Sequence, residues 1–290
     1  DKQVFATSGY GAKAGGGKKP ALLIIDVNYA FCGERSEPIL ESIKKWRTSC
    51  GEDAWEALPH IRKLIDKCHA KGIPVIYTTG TVRDDGWDKG SWAWKSSRAN
   101  EDVATAAPDA RDTNRNGNDI MDEIAPSEQD IVIRKIKPSA FYGTPLQAFL
   151  NDLGADSLVV TGTTTSGCVR ASVLDAFSNN IRVVIAEEAC FDRSQASHAI
   201  NLCDMHAKYA DVVPVDGQPW DTDPFKVVEK DGKLYGRGTS DMKSFIAIAL
   251  ALVPEFLERG LRKPLHLALT FDEEIGCLGV QHLIDDVKAQ

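Results

Sequence analysis

This 290-residue sequence lacks long apolar runs and lacks an excess of basic residues. No stretch approaches the roughly 18–20 apolar residues that a membrane-spanning helix needs, so we expect no membrane association. Acidic residues number 42 against 34 basic ones, which gives a formal net charge of −8. Because nucleic-acid binding depends on Lys and Arg, this balance argues against nucleic acid as a partner.

Closely spaced cysteines are also missing from the sequence. The seven cysteines are scattered, odd in number and contain no Cys-x-x-Cys pair. Disulfide frameworks of secreted proteins use even numbers of cysteines, whereas scattered thiols are typical of a reducing compartment. We therefore expect reduced thiols and a cytoplasmic location.

What is present is an ordinary globular composition with alternating strand and helix patterns. The hydrophobic fraction of 43% is sufficient for a buried core. Short apolar runs bounded by turn residues predict buried strands at 21–27, 73–78, 130–135, 157–161, 182–186 and 211–215. Segments of helical periodicity lie between them at 54–70, 144–153, 168–178 and 194–209. This alternation predicts an α/β fold: a doubly wound, mostly parallel six-stranded sheet with helices on both faces.

The alternation starts again after residue 215. A polar stretch leads to a predicted helix at 244–257, a strand at 265–271 and a short helix at 280–288. We therefore divide the chain into an N-terminal arm (1–19), a main domain (20–215) and a short α/β C-terminal appendage (216–290).

Three reactive side chains fall at the carboxyl ends of predicted strands or just after them. Asp26 ends the first strand, Lys135 ends the third, and Cys168 follows the fourth where a helix begins. Ligands of open α/β sheets bind at this edge, so we expect the three residues to form one site. The helix start and the lysine predict a lowered thiol pKa at Cys168, with Asp26 shuttling its proton.

At these residues the chain resembles the isochorismatase-like cysteine hydrolase superfamily. The similarity extends over about residues 18–215, and its distinctive segments are LLIID (22–26), KIKPSAFYGT (135–144) and GTTTSGCV (162–169). Within the superfamily the chain is most similar to the N-carbamoylsarcosine amidohydrolase branch. The resemblance implies the triad Asp26, Lys135 and Cys168.

The same resemblance implies further features of the site. A cis peptide would join Thr163 to Thr164, and the N–H groups of Thr164 and Cys168 would form the oxyanion hole. Arg193 would bind a substrate carboxylate, and the protein would be a homodimer or homotetramer. Metal-binding members carry histidines after the first strand, whereas residues 27–59 contain none. We therefore expect neither a metal nor another cofactor.

Residues from about 209 to 290 resemble a different family, the acetylornithine deacetylase and succinyl-diaminopimelate desuccinylase group of dizinc enzymes. The similar segments are DVVPVD (211–216), YGRGTSDMK (235–243) and TFDEEIG (270–276). By the family pattern Asp241 would bridge two zinc ions, Glu273 would be the general base and Glu274 a ligand. Tyr209 stands where the first His ligand is expected, so we interpret the segment as a truncated appendage with vestigial metal positions.

The sequence therefore predicts a cysteine amidohydrolase that cleaves a small linear carbamoyl or amide substrate bearing a carboxylate and releases ammonia through a thioester. Two alternatives remain open. One is a zinc-dependent N-acyl amino acid deacylase in the C-terminal segment, and the other is a catalytically silent assembly or binding protein with the same fold.

Overall fold

The structure is a computed structural model that describes residues 5, 7–81, 90, 95, 115–215, 228–230, 233–235 and 243–259. The chain divides into two compact units, Asp1–Val215 and Asp216–Gln290. No helix among the described residues is long and apolar enough to cross a membrane. The predicted strand at 265–271 and the predicted helix at 280–288 lie outside the described residues.

A single six-stranded sheet organises the first unit. Its strands are β1 (Pro20–Ile25), β2 (Val75–Gly80), β3 (Ile131–Lys135), β4 (Ser157–Thr163), β5 (Arg182–Phe191) and β6 (Asp211–Val213). Their order in the sheet is β3-β2-β1-β4-β5-β6, and every pairing is parallel. The predicted doubly wound α/β architecture is confirmed, and the sheet is wholly rather than mostly parallel.

Helices cover both faces of this sheet. They are α1 (Tyr29–Cys32), α2 (Ile39–Lys45), α3 (Glu52–Ala70), α4 (Leu146–Leu153), α5 (Arg170–Ser178) and α6 (Gln195–Lys208). On one face α4, α5 and α6 pack on alternate strand residues such as Leu23 and Val160. On the other face α1 and α3 pack on the residues between them, such as Leu22 and Tyr77. Buried on both faces, the central strands are almost continuously apolar, which is the pattern that revealed them.

The second unit is described by three elements. A two-stranded antiparallel hairpin joins β7 (Val228–Lys230) and β8 (Lys233–Tyr235), and α7 spans Lys243–Glu258. The helix lies close to the predicted 244–257, whereas the hairpin was not predicted because each strand has only three residues.

Gly162 permits the close approach of β4 to β1 just before the site. Its φ is +105°, and a Cβ at this position would lie 2.1 Å from the carbonyl oxygen of Ile25. The register of β4 and β5 also shifts between Val160 and Gly162. The irregular end of β4 therefore depends on a residue without a side chain.

We predict that Gly162→Ala lowers the free energy of unfolding by more than about 3 kcal/mol. The substitution has two costs, because the new Cβ overlaps the backbone of Ile25 and because an alanine rarely adopts a positive φ. Gly72→Ala is the matched control, because Gly72 has φ +64° with no atom within 4 Å of the added Cβ. It should lose only about 1–2 kcal/mol. Urea unfolding of both variants measures the difference, and equal losses would contradict the steric explanation.

Candidate active site

Asp26 and Lys135 form a buried ion pair across the sheet. The Lys135 Nζ donates to Asp26 Oδ2 at 2.6 Å, and each side chain is only 4% exposed. Lys135 also donates to the backbone carbonyl of Lys137 at 3.1 Å. The ammonium is thereby supplied with acceptors in a region that excludes water.

Cys168 lies in a π-helical turn, Thr165–Val169, between β4 and α5. The α-helix begins at Arg170, two residues later than predicted. The carbonyl of Thr164 accepts hydrogen bonds from the N–H groups of Gly167 (2.9 Å) and Val169 (3.2 Å), the residues on either side of the cysteine. The peptide bond between Thr163 and Thr164 is cis, as the resemblance implied.

The thiol of Cys168 interacts with both members of the ion pair, and this environment raises its pKa to about 12. Burial is the largest cause, the negative charge of Asp26 adds to it, and Lys135 opposes it. The sequence-based expectation of a lowered thiol pKa is therefore wrong for the unliganded site. The cysteine rests as a protonated thiol and needs a base to become a nucleophile.

Lys135 remains charged in this environment. Burial acts to lower its pKa, but the charges of Asp26 and Cys168 outweigh burial and raise the pKa above the usual lysine value. Lys135 can therefore stabilise negative charge on either neighbour, and it is not suited to act as the base. Of the three groups, only the Asp26 carboxylate is available to accept the thiol proton.

Asp192 was not singled out from the sequence, yet it anchors the turn that carries the cysteine. Its Oδ2 accepts hydrogen bonds from the N–H and the hydroxyl of Ser166, both at 2.7 Å, and the residue is 3% exposed. A second anchor joins Thr165 Oγ1 to His198 Nδ1 at 2.8 Å. The position of Asp192 directly after β5 could have indicated this role, because β5 pairs with β4 and its end therefore lies beside the turn that follows β4.

Arg193 lies beside the same strand end but engages the segment that follows α2. Its Nη1 donates to the carbonyl of Thr48 at 3.0 Å, and its guanidinium carbon lies 6.0 Å from the centre of the Phe31 ring. The residue is exposed. This contact uses one of the five N–H donors of the guanidinium, and the role in substrate binding stays a prediction.

The vestigial metal positions Asp241, Glu273 and Glu274 lie outside the described residues. Within the part of the chain that the structure describes, no group of three or more His, Cys, Asp or Glu side chains is arranged to hold a metal ion. The expectations of a metal-free hydrolase site and of an oxyanion hole at Thr164 and Cys168 stay predictions.

We predict that no thiolate forms at Cys168 between about pH 5 and about pH 9, because a pKa near 12 leaves the thiol protonated throughout. The difference in ultraviolet thiolate absorbance between the wild type and Cys168→Ser measures this. In Asp26→Asn the thiolate should appear at lower pH, since the charge that raises the pKa is gone while Lys135 remains. A thiolate step below about pH 9 in the wild type would contradict the raised pKa of Cys168.

The chain is similar to known proteins over about 70% of its length. N-carbamoylsarcosine amidase from an Arthrobacter species is 31% identical over 219 residues, covering 73% of this chain and 75% of that protein. Maleamate amidohydrolase from Pseudomonas putida is 29% identical over 205 residues, covering 70% of this chain and 87% of that protein. The crystal structure of N-carbamoylsarcosine amidase from Thermoplasma acidophilum superposes with a TM-score of 0.52 at 25% identity, covering 70% of this chain and 99% of that one.

The C-terminal segment has a separate similarity. Residues 210–290 match the model of peptidase family M20/M25/M40. Acetylornithine deacetylase from Pasteurella multocida is 46% identical over 78 residues, but the match covers only 20% of that protein.

The first unit matches a different family model. Residues 20–216, well over half of the chain, match the model described as the isochorismatase domain. All three residues of the Asp26, Lys135 and Cys168 cluster lie within the matched range. The chain therefore belongs to the isochorismatase domain family.

Proposed function

We propose that residues 20–215 form a cysteine amidohydrolase that cleaves the C–N bond of a small linear carbamoyl or amide substrate bearing a carboxylate, as N-carbamoylsarcosine does. The observation that carries the proposal is the meeting of the Cys168 thiol with the buried Asp26–Lys135 pair. The similarity to N-carbamoylsarcosine amidase and to maleamate amidohydrolase supports the same chemistry.

In the first half-reaction Asp26 removes the thiol proton of Cys168 as the sulfur attacks the carbamoyl or amide carbon. The C–S bond forms, and the carbonyl π electrons move to oxygen. The N–H groups of Thr164 and Cys168 stabilise this oxyanion as hydrogen-bond donors. The C–N bond then breaks, and Asp26 returns the proton to the leaving nitrogen. Ammonia departs, and the acyl group stays bonded to the sulfur of Cys168 as a thioester.

In the second half-reaction water attacks the thioester carbon while Asp26 accepts a proton from the water. The C–S bond breaks, and the proton passes from Asp26 to the sulfur of Cys168. An amide substrate leaves as the carboxylic acid, whereas a carbamoyl substrate leaves as a carbamic acid that loses carbon dioxide to give the amine. Lys135 keeps its positive charge beside the reacting groups through both halves.

The remaining parts of the proposal concern assembly and location. We propose a homodimer or homotetramer, supported by exposed apolar side chains at the β3 edge, among them Val132 (43% exposed) and Ile136 (41%). We propose a cytoplasmic location, supported by the six described cysteines, which are all free. We also propose that residues 1–19 form an N-terminal arm and that residues 216–290 form a separate unit.

Zinc-dependent deacylation by the C-terminal unit is the alternative that its family similarity suggests. A dizinc centre needs several ligands per metal as well as a bridging group. Because the similarity covers a fifth of the relative and Tyr209 stands where a His ligand is expected, we assign the hydrolytic chemistry to the first unit. The catalytically silent alternative is opposed by the complete Asp26, Lys135 and Cys168 cluster.

We predict that Cys168→Ala lowers ammonia release from the best substrate of a linear amide panel by at least about 10³-fold, because the nucleophile is lost. Cys203→Ala is the matched control, since Cys203 is an exposed thiol and should leave the rate unchanged. Circular dichroism and urea unfolding establish that both variants are folded. If Cys168→Ala retains more than a few per cent of the activity, Cys168 is not the nucleophile.

We predict that Arg193→Ala lowers kcat/KM about 10- to 150-fold for an amide with a free carboxylate, but much less for its methyl ester. A charge-assisted hydrogen bond worth about 1.5–3 kcal/mol exists only with the carboxylate. Kinetics on the two matched substrates measure the difference. Equal losses on both would mean that Arg193 supports the segment around Thr48 and that the carboxylate binds elsewhere.

A further inference from the structure

Thr78, near the end of β2, contacts the Asp26 base at two points. The two strands pair in parallel with Ile25 opposite Thr78. The Thr78 carbonyl accepts the N–H of Asp26 at 3.0 Å, and the Thr78 hydroxyl donates to Asp26 Oδ1, also at 3.0 Å. Thr78 is 1% exposed, so water does not compete for either contact.

These contacts hold a residue whose backbone is in an unfavourable conformation. Asp26 has φ +54°, in the left-handed region that residues with a Cβ rarely adopt. Such a conformation persists only when the surrounding structure determines it. The pair of bonds from Thr78 fixes both the backbone and the side chain of Asp26 at this position.

The two oxygens of the Asp26 carboxylate consequently have separate partners. Oδ2 accepts from Lys135 at 2.6 Å, and Oδ1 accepts from Thr78. With both ends engaged, the carboxylate has one orientation toward the Cys168 thiol. Two titratable groups interact with it, Lys135 from β3 and Cys168 from the π-helical turn.

We propose that Thr78 is a positioning residue for this reaction: its hydroxyl fixes the orientation of the carboxylate that exchanges the proton with Cys168. The inference rests on the proposed function, because that function makes Asp26 the base. Thr78 does not itself touch the reacting atoms.

The consequence is specific to the chemical step. Without the hydroxyl, the Asp26 carboxylate loses its fixed orientation toward the Cys168 thiol, so proton transfer slows. Substrate binding, which in this proposal depends on Arg193, is retained. The loss therefore falls on kcat rather than on KM.

The test compares Thr78→Val, which removes the hydroxyl at nearly constant volume, with Thr78→Ser, which keeps it. Thr161→Val is the matched control on β4, which pairs with the other side of β1. Thr161 is fully buried, and its hydroxyl has no hydrogen-bond partner among the described residues. Urea unfolding of each variant separates a loss of stability from a loss of positioning.

On the best amide substrate, Thr78→Val should lower kcat about 10- to 100-fold with KM within about 2-fold of the wild-type value. Thr78→Ser should stay within about 3-fold of the wild type, and Thr161→Val should be indistinguishable from it. A Thr78→Val enzyme with unchanged kcat would overturn the proposal. A Thr78→Ser enzyme as impaired as Thr78→Val would do so as well.

A second readout does not depend on turnover. Carbon-13 NMR of carboxyl-labelled aspartate, with Asp26 assigned through Asp26→Asn, should show the Asp26 carboxyl resonance shifted in Thr78→Val, because the carboxylate has lost the hydrogen bond from the Thr78 hydroxyl, and unshifted in Thr161→Val. If the wild type hydrolyses no amide, the proposed function fails, while this resonance still decides whether the Thr78 hydroxyl holds the Asp26 carboxylate. An unshifted Asp26 resonance in Thr78→Val would overturn the inference.

Discussion

The buried ion pair between Asp26 and Lys135 is the interaction on which the rest of the site depends. Removing two charges from water is expensive, and breaking such a pair by deleting one partner typically costs about 3–5 kcal/mol. The sheet order accounts for the geometry. Since β2 lies between β1 and β3, Lys135 must reach across a strand to Asp26, and that intervening strand supplies Thr78. The electrostatic environment of Cys168 is therefore set by the charges of Asp26 and Lys135.

The raised thiol pKa changes the role of each group in that environment. A lysine beside a thiol at a helix start suggests a stable thiolate, but here burial and the Asp26 charge prevail over Lys135. Cys168 therefore rests as a thiol, and in the proposed mechanism it becomes nucleophilic only when Asp26 removes its proton. Such an arrangement protects a cysteine from oxidation, because the thiolate is the form that oxidants attack.

The sequence was sufficient to predict the architecture and the proximity of Asp26, Lys135 and Cys168, because strands buried on both faces are apolar and their carboxyl ends meet at one edge. Other features depend on tertiary contacts that residue types do not encode. Thr78 is indistinguishable in the sequence from any threonine in a strand, and the thiol pKa depends on burial. The strand β5 continues to Phe191 rather than ending at 186, since a register shift against β4 lets the pairing resume at Gly162 and Thr163. The helix α1 is a single turn, too short for a period to be recognised.

The position of Lys135 on β3 has a consequence for the dynamics of the protein. Within the described sheet, β3 is at the edge and pairs only with β2. Edge elements open locally at a lower free energy than the core strands do, without global unfolding. Each opening of β3 would withdraw the Lys135 ammonium from Asp26 while β1 and β4 stay in place. Local opening of this five-residue strand would therefore remove the positive charge from the site without unfolding the rest of the domain.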